Sequence, residues 1–338
     1  MAPTTTVGRI AMRHGAGGRS MRRLIEEVLL DRGSRAATAL DDGAVLPVGN
    51  GFLILTTDSH VIQPLVFPGG DIGRLSICGT VNDLAMMGAT EPLGLTCALV
   101  IEEGFVLEDL ARVRESMAAA CREAQAPIVT GDTKVMGRGE VDGLVINTSG
   151  VALVDHVVRD SGLRPGDRVL LTGTIGDHGM AVMAARHQLD LGATLQSDVA
   201  PLNGLVRAAL RVARGAVTAM KDPTRGGLAS TLHEMAEKSG VGIRLDEQAI
   251  PIRTEVRAAA ELLGIDPLLI ANEGKAVLGV RPDAAAAVLA ALRAHPLGRE
   301  AAVIGVCSAD LPGSIVLDTG FGRRLLPEPD GELLPRIC

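Results

Sequence analysis

The sequence has almost no aromatic residues, with four Phe, no Trp and no Tyr among 338 residues. The hydrophobic cores must therefore be aliphatic, and a hydrophobic content of 47% is sufficient to build them. The chain also lacks runs of basic residues and carries a formal net charge of -7, which excludes the electrostatic surface that binds nucleic acid. A polyanionic substrate would need cations to bridge it to such a protein.

Signals for export and for disulfide bonding are also missing. The sequence contains no run of eighteen apolar residues, and its first eighteen residues lack the apolar stretch of a signal peptide. The five cysteines are odd in number and include no CxxC pair. We therefore expect a cytoplasmic protein with neither a disulfide framework nor a zinc site. Four cysteines lie in apolar patterns that predict burial, whereas Cys338 is the last residue.

The length and the alternation of helix and strand patterns predict an α/β protein of two domains. After a turn-rich stretch around residues 156–166 the pattern restarts with a new strand. We therefore place an N-terminal domain at 1–155 and a C-terminal α/β domain at 156–326. Residues 327–338 contain three prolines, one glycine and an acidic PEPDGE run, and they predict a mobile tail.

A hairpin is predicted where Asn50-Gly51 separates two apolar strands. A two-residue turn at these positions would place Val48 opposite Leu53. The register then brings three carboxylates to one end of the hairpin: Asp41, Asp42 and Asp58. Strict alternation would separate Asp42 from the other two, and the pattern does not decide which of Asp41 and Asp42 is the ligand.

The helical stretch at residues 71–89 carries a polar stripe on an otherwise apolar surface. Ser76, Thr80 and Asp83 recur at helical spacing there. A half-buried carboxylate needs a partner, so Asp83 becomes a further candidate for a binding site.

Two more aspartates occupy positions at the ends of elements. Asp132 closes the strand pattern IVTGD and is followed two residues later by Lys134, and the carboxyl end of a strand often carries site residues. Asp222 lies just before a helix start, with Arg225 and Gly226 behind it. Each aspartate taken alone is better explained as a turn or cap residue, and only the set as a whole favours a binding site.

Taken together, the aspartates predict a carboxylate-held magnesium nucleotide site. Mg²⁺ prefers oxygen ligands and usually binds alongside substrate phosphates. Three glycine-rich stretches, HGAGG, TGTIGDHG and DPTRGG, are candidates to approach those phosphates. None ends in the Gly-Lys-Ser/Thr of a P-loop, so that class of nucleotide site is not indicated.

A set of motifs resembles one family over nearly the whole chain. The motifs DDGAVL, TTDSHV, GDTKV, GDHG, DPTRGGLA, NEGK and the terminal PRIC are similar to those of HypE, the carbamoyl dehydratases of nickel–iron hydrogenase maturation. More broadly, the chain resembles the superfamily of aminoimidazole ribonucleotide synthetase, selenophosphate synthetase and thiamine-monophosphate kinase. The resemblance implies a two-domain synthetase fold whose N-terminal mixed sheet and helices serve dimerisation and ATP binding, with a homodimer as the expected assembly.

The resemblance also implies a reaction and its partners. A HypF-type carbamoyltransferase would load a carbamoyl group onto the thiol of Cys338. The protein would then use ATP to dehydrate the thiocarboxamide to a thiocyanate. The cyanide would pass to a HypC–HypD complex and become a ligand of the hydrogenase iron.

The resemblance also implies roles for individual residues, which are assigned where a motif of this sequence matches a motif of the family. The residues implied in catalysis are Cys338 as carrier, Glu273 as general base and Lys134 as the group that stabilises developing charge. The residues implied in binding ATP are Asp42, Asp58, Asn82, Asp83, Asp132, Thr133, Asp222, Arg225 and Gly226. Those implied in binding Mg²⁺ are Asp42, Asp58, Asp83, Asp132 and Asp222.

The tail explains why a thiol stands at the end of the chain. A group that is loaded in one protein and dehydrated in another site must travel, and twelve extended residues reach about 40 Å. The apolar residues Leu333, Leu334 and Ile337 could dock the tip when it folds inward.

Two other functions remain open on the residues alone. A small-molecule kinase of the thiamine-monophosphate type would use the same aspartates but would not need a terminal cysteine. A non-catalytic nucleotide-binding assembly factor could dock a partner through its C-terminal peptide. Selenophosphate synthetase would need a reactive cysteine in its N-terminal loop, and no cysteine precedes Cys78.

Overall fold

The structure is a computed structural model that describes residues 9–15, 17–30, 40–189, 195–213, 215–329 and 337. The expectations for Cys338, and for the tail at 330–336, lie outside the described residues. None of the helices within the described ranges is both long and apolar enough to cross a membrane.

The first sheet has five strands in the order β1-β2-β7-β5-β6. Its neighbours are antiparallel except for β5 and β6, which run parallel, so the sheet is mixed as expected. A small ribbon of two strands, β3 and β4, precedes the central helix. The elements of this part are β1 (Ala44–Val48), β2 (Gly51–His60), β3 (Val66–Phe67), β4 (Gly70–Asp71), β5 (Pro92–Glu102), β6 (Ile128–Met136), β7 (Leu144–Val154), α1 (Gly18–Leu24), α2 (Ile72–Met86) and α3 (Leu107–Ala124).

The second sheet has seven strands in the order β14-β13-β10-β12-β8-β11-β9, and only β10 and β13 run parallel. The α/β class is confirmed. The sequence patterns did not predict two strands of this part of the chain, at Val217–Lys221 and Arg323–Leu326, or two of its helices, at Asn203–Val212 and Thr254–Leu263. The elements are β8 (Arg168–Leu171), β9 (Val217–Lys221), β10 (Gly242–Asp246), β11 (Val277–Val280), β12 (Ala302–Ser308), β13 (Ile315–Asp318), β14 (Arg323–Leu326), α4 (Asp177–His187), α5 (Asn203–Val212), α6 (Gly227–Ser239), α7 (Thr254–Leu263) and α8 (Ala285–Ala294).

The central helix α2 links the two parts of the molecule. It starts where the Asp71 carboxylate accepts a hydrogen bond from the Arg74 backbone N–H over 2.8 Å. Thirteen of its fifteen residues are buried, because it packs against β2, β7, α3 and α5 at once. The polar stripe predicted on this helix therefore has to find its partners inside the protein. Thr80 meets the hydroxyl of Thr148 on β7 at 2.5 Å, and Asp83 turns towards β2.

The predicted hairpin forms, but its register was wrong by two residues. Val48 pairs with Gly51, not with Leu53, and the turn residues are Gly49 and Asn50. Gly49 has a φ of 58°, so this glycine supplies the left-handed conformation that the turn requires. A shift of two residues keeps every side chain on its face of the sheet. The expectation that the nearby aspartates gather at one end of the hairpin was therefore unaffected.

The cores are aliphatic, as the composition predicts. Phe67 is the one aromatic residue among the buried hydrophobic residues of the described chain. The cysteines at 78, 97 and 307 are buried, Cys121 is half-buried, and all four are free thiols. Burial raises the pKa of Cys78 and, less strongly, that of Cys121. These thiols therefore behave as small apolar side chains.

Asn82 joins α2 to the second part of the chain. Its amide donates to the backbone carbonyls of Ala200 at 3.1 Å and Glu273 at 3.2 Å, and its oxygen accepts from Leu202 N–H at 2.7 Å. All these groups are buried, so none can turn to water if the amide is lost.

We expect Asn82→Ala to lower the free energy of unfolding by about 2–3 kcal/mol, because it leaves buried polar backbone groups without a partner. Urea denaturation monitored by circular dichroism measures the change. The control is Asn50→Ala in the exposed turn, which should change stability by less than about 0.5 kcal/mol. Equal effects of the two substitutions would contradict the role given to Asn82.

Candidate active site

A cavity of about 610 Å³ opens between the two parts of the chain, and acidic side chains dominate its wall. It is enclosed by α1 on one side, by the hairpin and α2 on a second, and by β9 with the following loop and α6 on a third. Its described lining includes five carboxylates expected at the site: Asp42, Asp58, Asp83, Asp222 and Glu273. Arg225 lines the same cavity.

Local structure explains how the carboxylates meet. Asp42 precedes β1 and Asp58 lies on β2, so both belong to the end of the hairpin away from its turn. Asp83 projects from α2 towards this strand, where the Thr56 hydroxyl donates to its Oδ2 over 2.9 Å. Asp222 follows the last residue of β9, at the carboxyl end of a strand. Four separate elements thus aim their carboxylates into one space.

Burial and mutual repulsion govern the charge of this group. Burial, with the neighbouring charges of Asp222, Asp58 and Asp42, raises the pKa of Asp83 well above its usual value. Burial and the charge of Asp42 raise the pKa of Asp222 to about 7, although Lys221 opposes the shift. The protein therefore holds more acidic groups here than it can keep ionised without added positive charge.

Lysines lie beneath the carboxylates and offset part of this charge. Lys221, the last residue of β9, forms ion pairs with Asp42 and with Glu234. Lys238 pairs with Asp160 at 2.6 Å, and burial raises the pKa of Asp160 to about 7 despite this contact. Lys221 and Lys238 were not predicted as site residues, although Lys221 directly precedes Asp222 in the sequence.

Asp41 and Asp42 have different partners. Asp41 is paired with Arg159, whereas Asp42 is paired with Lys221, and both aspartates line the cavity.

His60 lies beside Asp58 on β2. It is buried at 1% exposure, and its Nε2 lies 3.5 Å from Asp58 Oδ2. Within the described part of the chain, neither ring nitrogen of His60 has a hydrogen-bond partner.

Hydrogen bonds to its backbone N–H and carbonyl hold Glu273 in place, so its carboxyl group is not needed to fix its position. Its N–H donates to Asp198 Oδ1 at 3.1 Å, and its carbonyl accepts from Asn82. Asp198 is itself paired with Lys275 at 3.0 Å. Gly274 permits this close packing, because a Cβ there would lie 1.8 Å from the carbonyl oxygen of Asp198. Among the described residues, no group bonds Glu273 Oε1, and burial raises the pKa of this carboxyl well above its usual value.

Some expected site residues lie elsewhere in the chain. Asn82 sits behind the cavity, where it holds Glu273. Gly226 caps α6 with a φ of 78°. Among the described residues, the cavity lining does not include Asp132, Thr133 or Lys134, which lie on the exposed strand β6. The Asp132 and Lys134 side chains are 66% and 69% exposed and pair with each other at 3.4 Å. One chain therefore does not bring these three residues to the carboxylates.

The charge of the cavity suits a divalent cation, but its described side chains do not form a complete set of metal ligands. Across the described ranges, no three His, Cys, Asp or Glu side chains are grouped to hold a metal ion. Mg²⁺ commonly takes only one or two carboxylates and completes its shell with water and substrate phosphates. The crowded acidic groups have raised pKa values, and one oxygen each on Asp41 and Glu273 has no hydrogen-bond partner among the described residues, so they suit such a partly hydrated ion.

Comparisons with known proteins identify the relatives of this chain. Residues 40–154 match the N-terminal domain of AIR synthase related proteins, and residues 164–318 match the C-terminal domain. The chain is 49% identical over 335 residues to the carbamoyl dehydratase HypE of Rhizobium leguminosarum bv. viciae, covering 98% of this chain and 95% of that protein.

Two solved structures are similar over most of the chain. A crystal structure of a HypE–HypF complex matches with a TM-score of 0.85 and 45% identity, covering 90% of this chain and 99% of the other. A crystal structure of HypE in complex with ATP matches with a TM-score of 0.81 and 42% identity, covering 97% of this chain and all of the other.

The crowding of carboxylates should make the stability of the protein depend on pH. The pKa of Asp222 is raised in the folded state, so folding favours the protonated form. The contribution of Asp222 to stability is therefore greatest below its usual pKa of 3.8 and is lost as the pH rises through about 7. At pH 8 we expect Asp222→Asn to raise the melting temperature by about 2–6 °C. Scanning calorimetry at pH 8 and pH 4 measures this, and the gain should vanish at pH 4.

The matched control is Asp155→Asn, at an exposed position outside the cavity, which should leave the melting temperature unchanged at both pH values. A lower melting temperature of Asp222→Asn at pH 8 would show that this carboxylate stabilises the fold, against the electrostatic argument.

Proposed function

The chain belongs to the HypE family of carbamoyl dehydratases, and we propose that it uses ATP with Mg²⁺ to dehydrate a carbamoyl group carried on Cys338. The observation that carries the proposal is the acidic cavity itself. It combines crowded carboxylates suited to a magnesium nucleotide with a buried glutamate whose Oε1 has no partner among the described residues.

The reaction must remove an oxygen from a primary amide. Hydroxide is a poor leaving group at neutral pH, so the amide oxygen first attacks the γ-phosphorus of ATP while the nitrogen gives up one proton, and ADP departs. The carbon–oxygen bond then breaks, inorganic phosphate leaves, and the nitrogen loses its second proton. The product on sulfur is a thiocyanate, and the net change is the loss of one water from the carrier.

The described residues divide the work of this reaction. Asp42, Asp58, Asp83 and Asp222 are proposed to bind the magnesium nucleotide, and Arg225 faces the same space. When bound, Mg²⁺ would neutralise the phosphates and align them for in-line transfer. The metal would also relieve the repulsion that raises the pKa values of Asp83 and Asp222.

Glu273 is the proposed general base. A base works best when its pKa lies near the working pH, and burial followed by the charge of Asp222 moves the pKa of Glu273 upward. Its Oε1 has no hydrogen bond to any described residue, so it can accept a proton from the carboxamide nitrogen without first breaking one of those contacts. Lys134 is proposed to stabilise the charge that builds up on the amide oxygen or on the transferring phosphoryl group.

The exposed strand β6 supports a homodimer in which each copy completes the site of the other. All nine residues of β6 are exposed, including Val129 at 64% and Val135 at 69%. An exposed edge strand with apolar side chains normally requires a covering partner. A second copy that covers β6 would give Asp132, Thr133 and Lys134 a route to a cavity that they do not reach in their own chain.

Partner proteins follow from the family. A HypE structure has been solved in complex with HypF, and we propose that a HypF-type carbamoyltransferase loads Cys338 of this chain. A HypC–HypD complex is the proposed cyanide acceptor. The kinase and assembly-factor alternatives do not require a carbamoyl group on Cys338, so the experiment below separates them from the dehydratase.

Intact-mass spectrometry tests the reaction directly. Cyanate carbamoylates the Cys338 thiol, and adding ATP with Mg²⁺ should then remove the mass of one water from the C-terminal peptide. The change should require both ATP and the metal. An unchanged mass with wild-type protein would reject the dehydratase mechanism.

The matched variants are Glu273→Gln and the exposed Glu261→Gln. The first should slow water loss at least 100-fold, because removing a general base typically costs a factor of about 10²–10⁴. The second should react as the wild type does. Equal rates for the two variants would contradict the role given to Glu273.

Mixing two inactive variants tests the shared site. Glu273→Gln and Lys134→Ala should each be inactive alone, but random reassociation would give heterodimers with one intact site. We expect about a quarter of wild-type water loss per chain after unfolding and refolding the mixture. If light scattering shows that dimers form but the mixture does not recover water loss, Lys134 does not act in the partner's site.

A further inference from the structure

The penultimate residue, Ile337, is docked in a buried apolar cluster to which both parts of the chain contribute. Its side chain is 4% exposed and belongs to the same buried apolar cluster as Phe67, Met180 and Val199. A chain end is normally exposed unless specific contacts hold it. Specific contacts must therefore hold Ile337 in addition to the packing of its apolar side chain.

A buried histidine holds the backbone at this point. His178, in the first turn of α4, is fully buried, and its Nε2 lies 2.6 Å from the carbonyl oxygen of Ile337. Its Nδ1 lies 2.8 Å from Ser197 Oγ. A carbonyl can only accept, so Nε2 must carry the proton, and Nδ1 must accept from the Ser197 hydroxyl. The serine thereby fixes the tautomer that lets the histidine donate to the chain end.

The ring is also fixed in orientation. Phe67 meets His178 edge to face, with ring centroids 5.4 Å apart and planes at 89°. Ser197 Oγ in turn accepts from the backbone N–H of Val199 at 3.1 Å. Burial lowers the pKa of His178, which favours the neutral ring that this hydrogen-bond pattern requires.

The same segment holds the proposed base. Asp198, next to Ser197 in the chain, accepts the backbone N–H of Glu273 and pairs with Lys275. Ser197, which orients the anchoring histidine, and Asp198, which holds the backbone of Glu273, are thus consecutive residues. A displacement of one would be transmitted to the other through a single peptide unit.

We propose that His178 is a positioning residue, which holds the Ile337 carbonyl and so sets the end of the chain for reaction. Ser197 serves it by fixing the tautomer. This inference rests on the proposed function, because it assigns to the anchor the task of presenting the carrier that follows Ile337. His178 touches neither the carboxamide nor the nucleotide in this role.

The test uses His178→Phe, which keeps an aromatic ring in the apolar site but removes both nitrogens, and Ser197→Ala, which removes only the partner of Nδ1. His187→Phe, on an exposed position of the same helix, is the matched control. Single-turnover water loss from the cyanate-treated full-length protein should slow about tenfold in His178→Phe and by a smaller factor in Ser197→Ala. ATP affinity, measured by calorimetry, should not change.

A second readout does not depend on the chemistry. Iodoacetamide alkylation of Cys338, followed on the C-terminal peptide in nucleotide-free protein, should be faster in His178→Phe than in the wild type or in His187→Phe. If His178→Phe does not fold, Ser197→Ala provides the same comparison, because it removes a single oxygen at a half-buried position.

The outcomes separate the two proposals. Wild-type rates of water loss and alkylation in both variants would overturn the positioning role while leaving the dehydratase intact. A parallel loss of ATP affinity with unchanged alkylation would also overturn it, because His178 would then support the cavity and not the chain end. Faster alkylation in the variants, with no water loss even in the wild type, would reject the dehydratase but retain the anchor.

Discussion

The repulsion among buried carboxylates is the constraint on which the site depends. Asp42, Asp58, Asp83, Asp222 and Glu273 face one cavity, and a fold selected for stability alone would not collect them. Lys221 offsets part of the charge by pairing with Asp42, yet the pKa of Asp222 still rises to about 7. The unbound site is thus short of positive charge. The proposed magnesium nucleotide would supply that charge, which would give the site a physical reason to bind metal and nucleotide together.

The rest of the fold holds these groups in place against their repulsion. Helix α2 brings Asp83 against β2, and it is buried along almost its whole length. Asn82, the next residue, fixes the backbone of Glu273 from the other part of the chain. Two neighbours on one helix therefore control the distance between the proposed metal side and the proposed base side of the cavity. This coupling explains why a buried amide that does not line the cavity still belongs to the functional architecture.

Much of this arrangement could be predicted from the sequence, because local patterns carry it. The apolar run of α2, the hairpin and the candidate aspartates are short-range signals, and the structure places five of those aspartates in one cavity: Asp41, Asp42, Asp58, Asp83 and Asp222. The hairpin register could not be predicted, since Gly49 and Gly51 both offer a left-handed turn. The position of Asp132 and Lys134 on an exposed strand depends on sheet order, which no local motif encodes. The lysines under the carboxylates were overlooked because their role depends on long-range pairing.

The anchoring of Ile337 has an energetic consequence for the proposed carrier, which would have to visit two proteins. Burying one isoleucine contributes about 1.5–3 kcal/mol, and one hydrogen bond adds about 0.5–1.5 kcal/mol. Ordering the backbone costs about 1–2 kcal/mol per residue, so holding about two or three residues in place offsets most of these gains. The docked and undocked states of such a chain end therefore differ little in free energy. Small differences in the contacts that each state makes are enough to shift the equilibrium between them. Under the proposed function, a tightly held end could not be loaded by a separate transferase, whereas an end without an anchor would rarely present its cargo to the proposed base, Glu273. The hydrogen bond from His178 to a backbone carbonyl suits this compromise, because it specifies a position without adding a large binding energy.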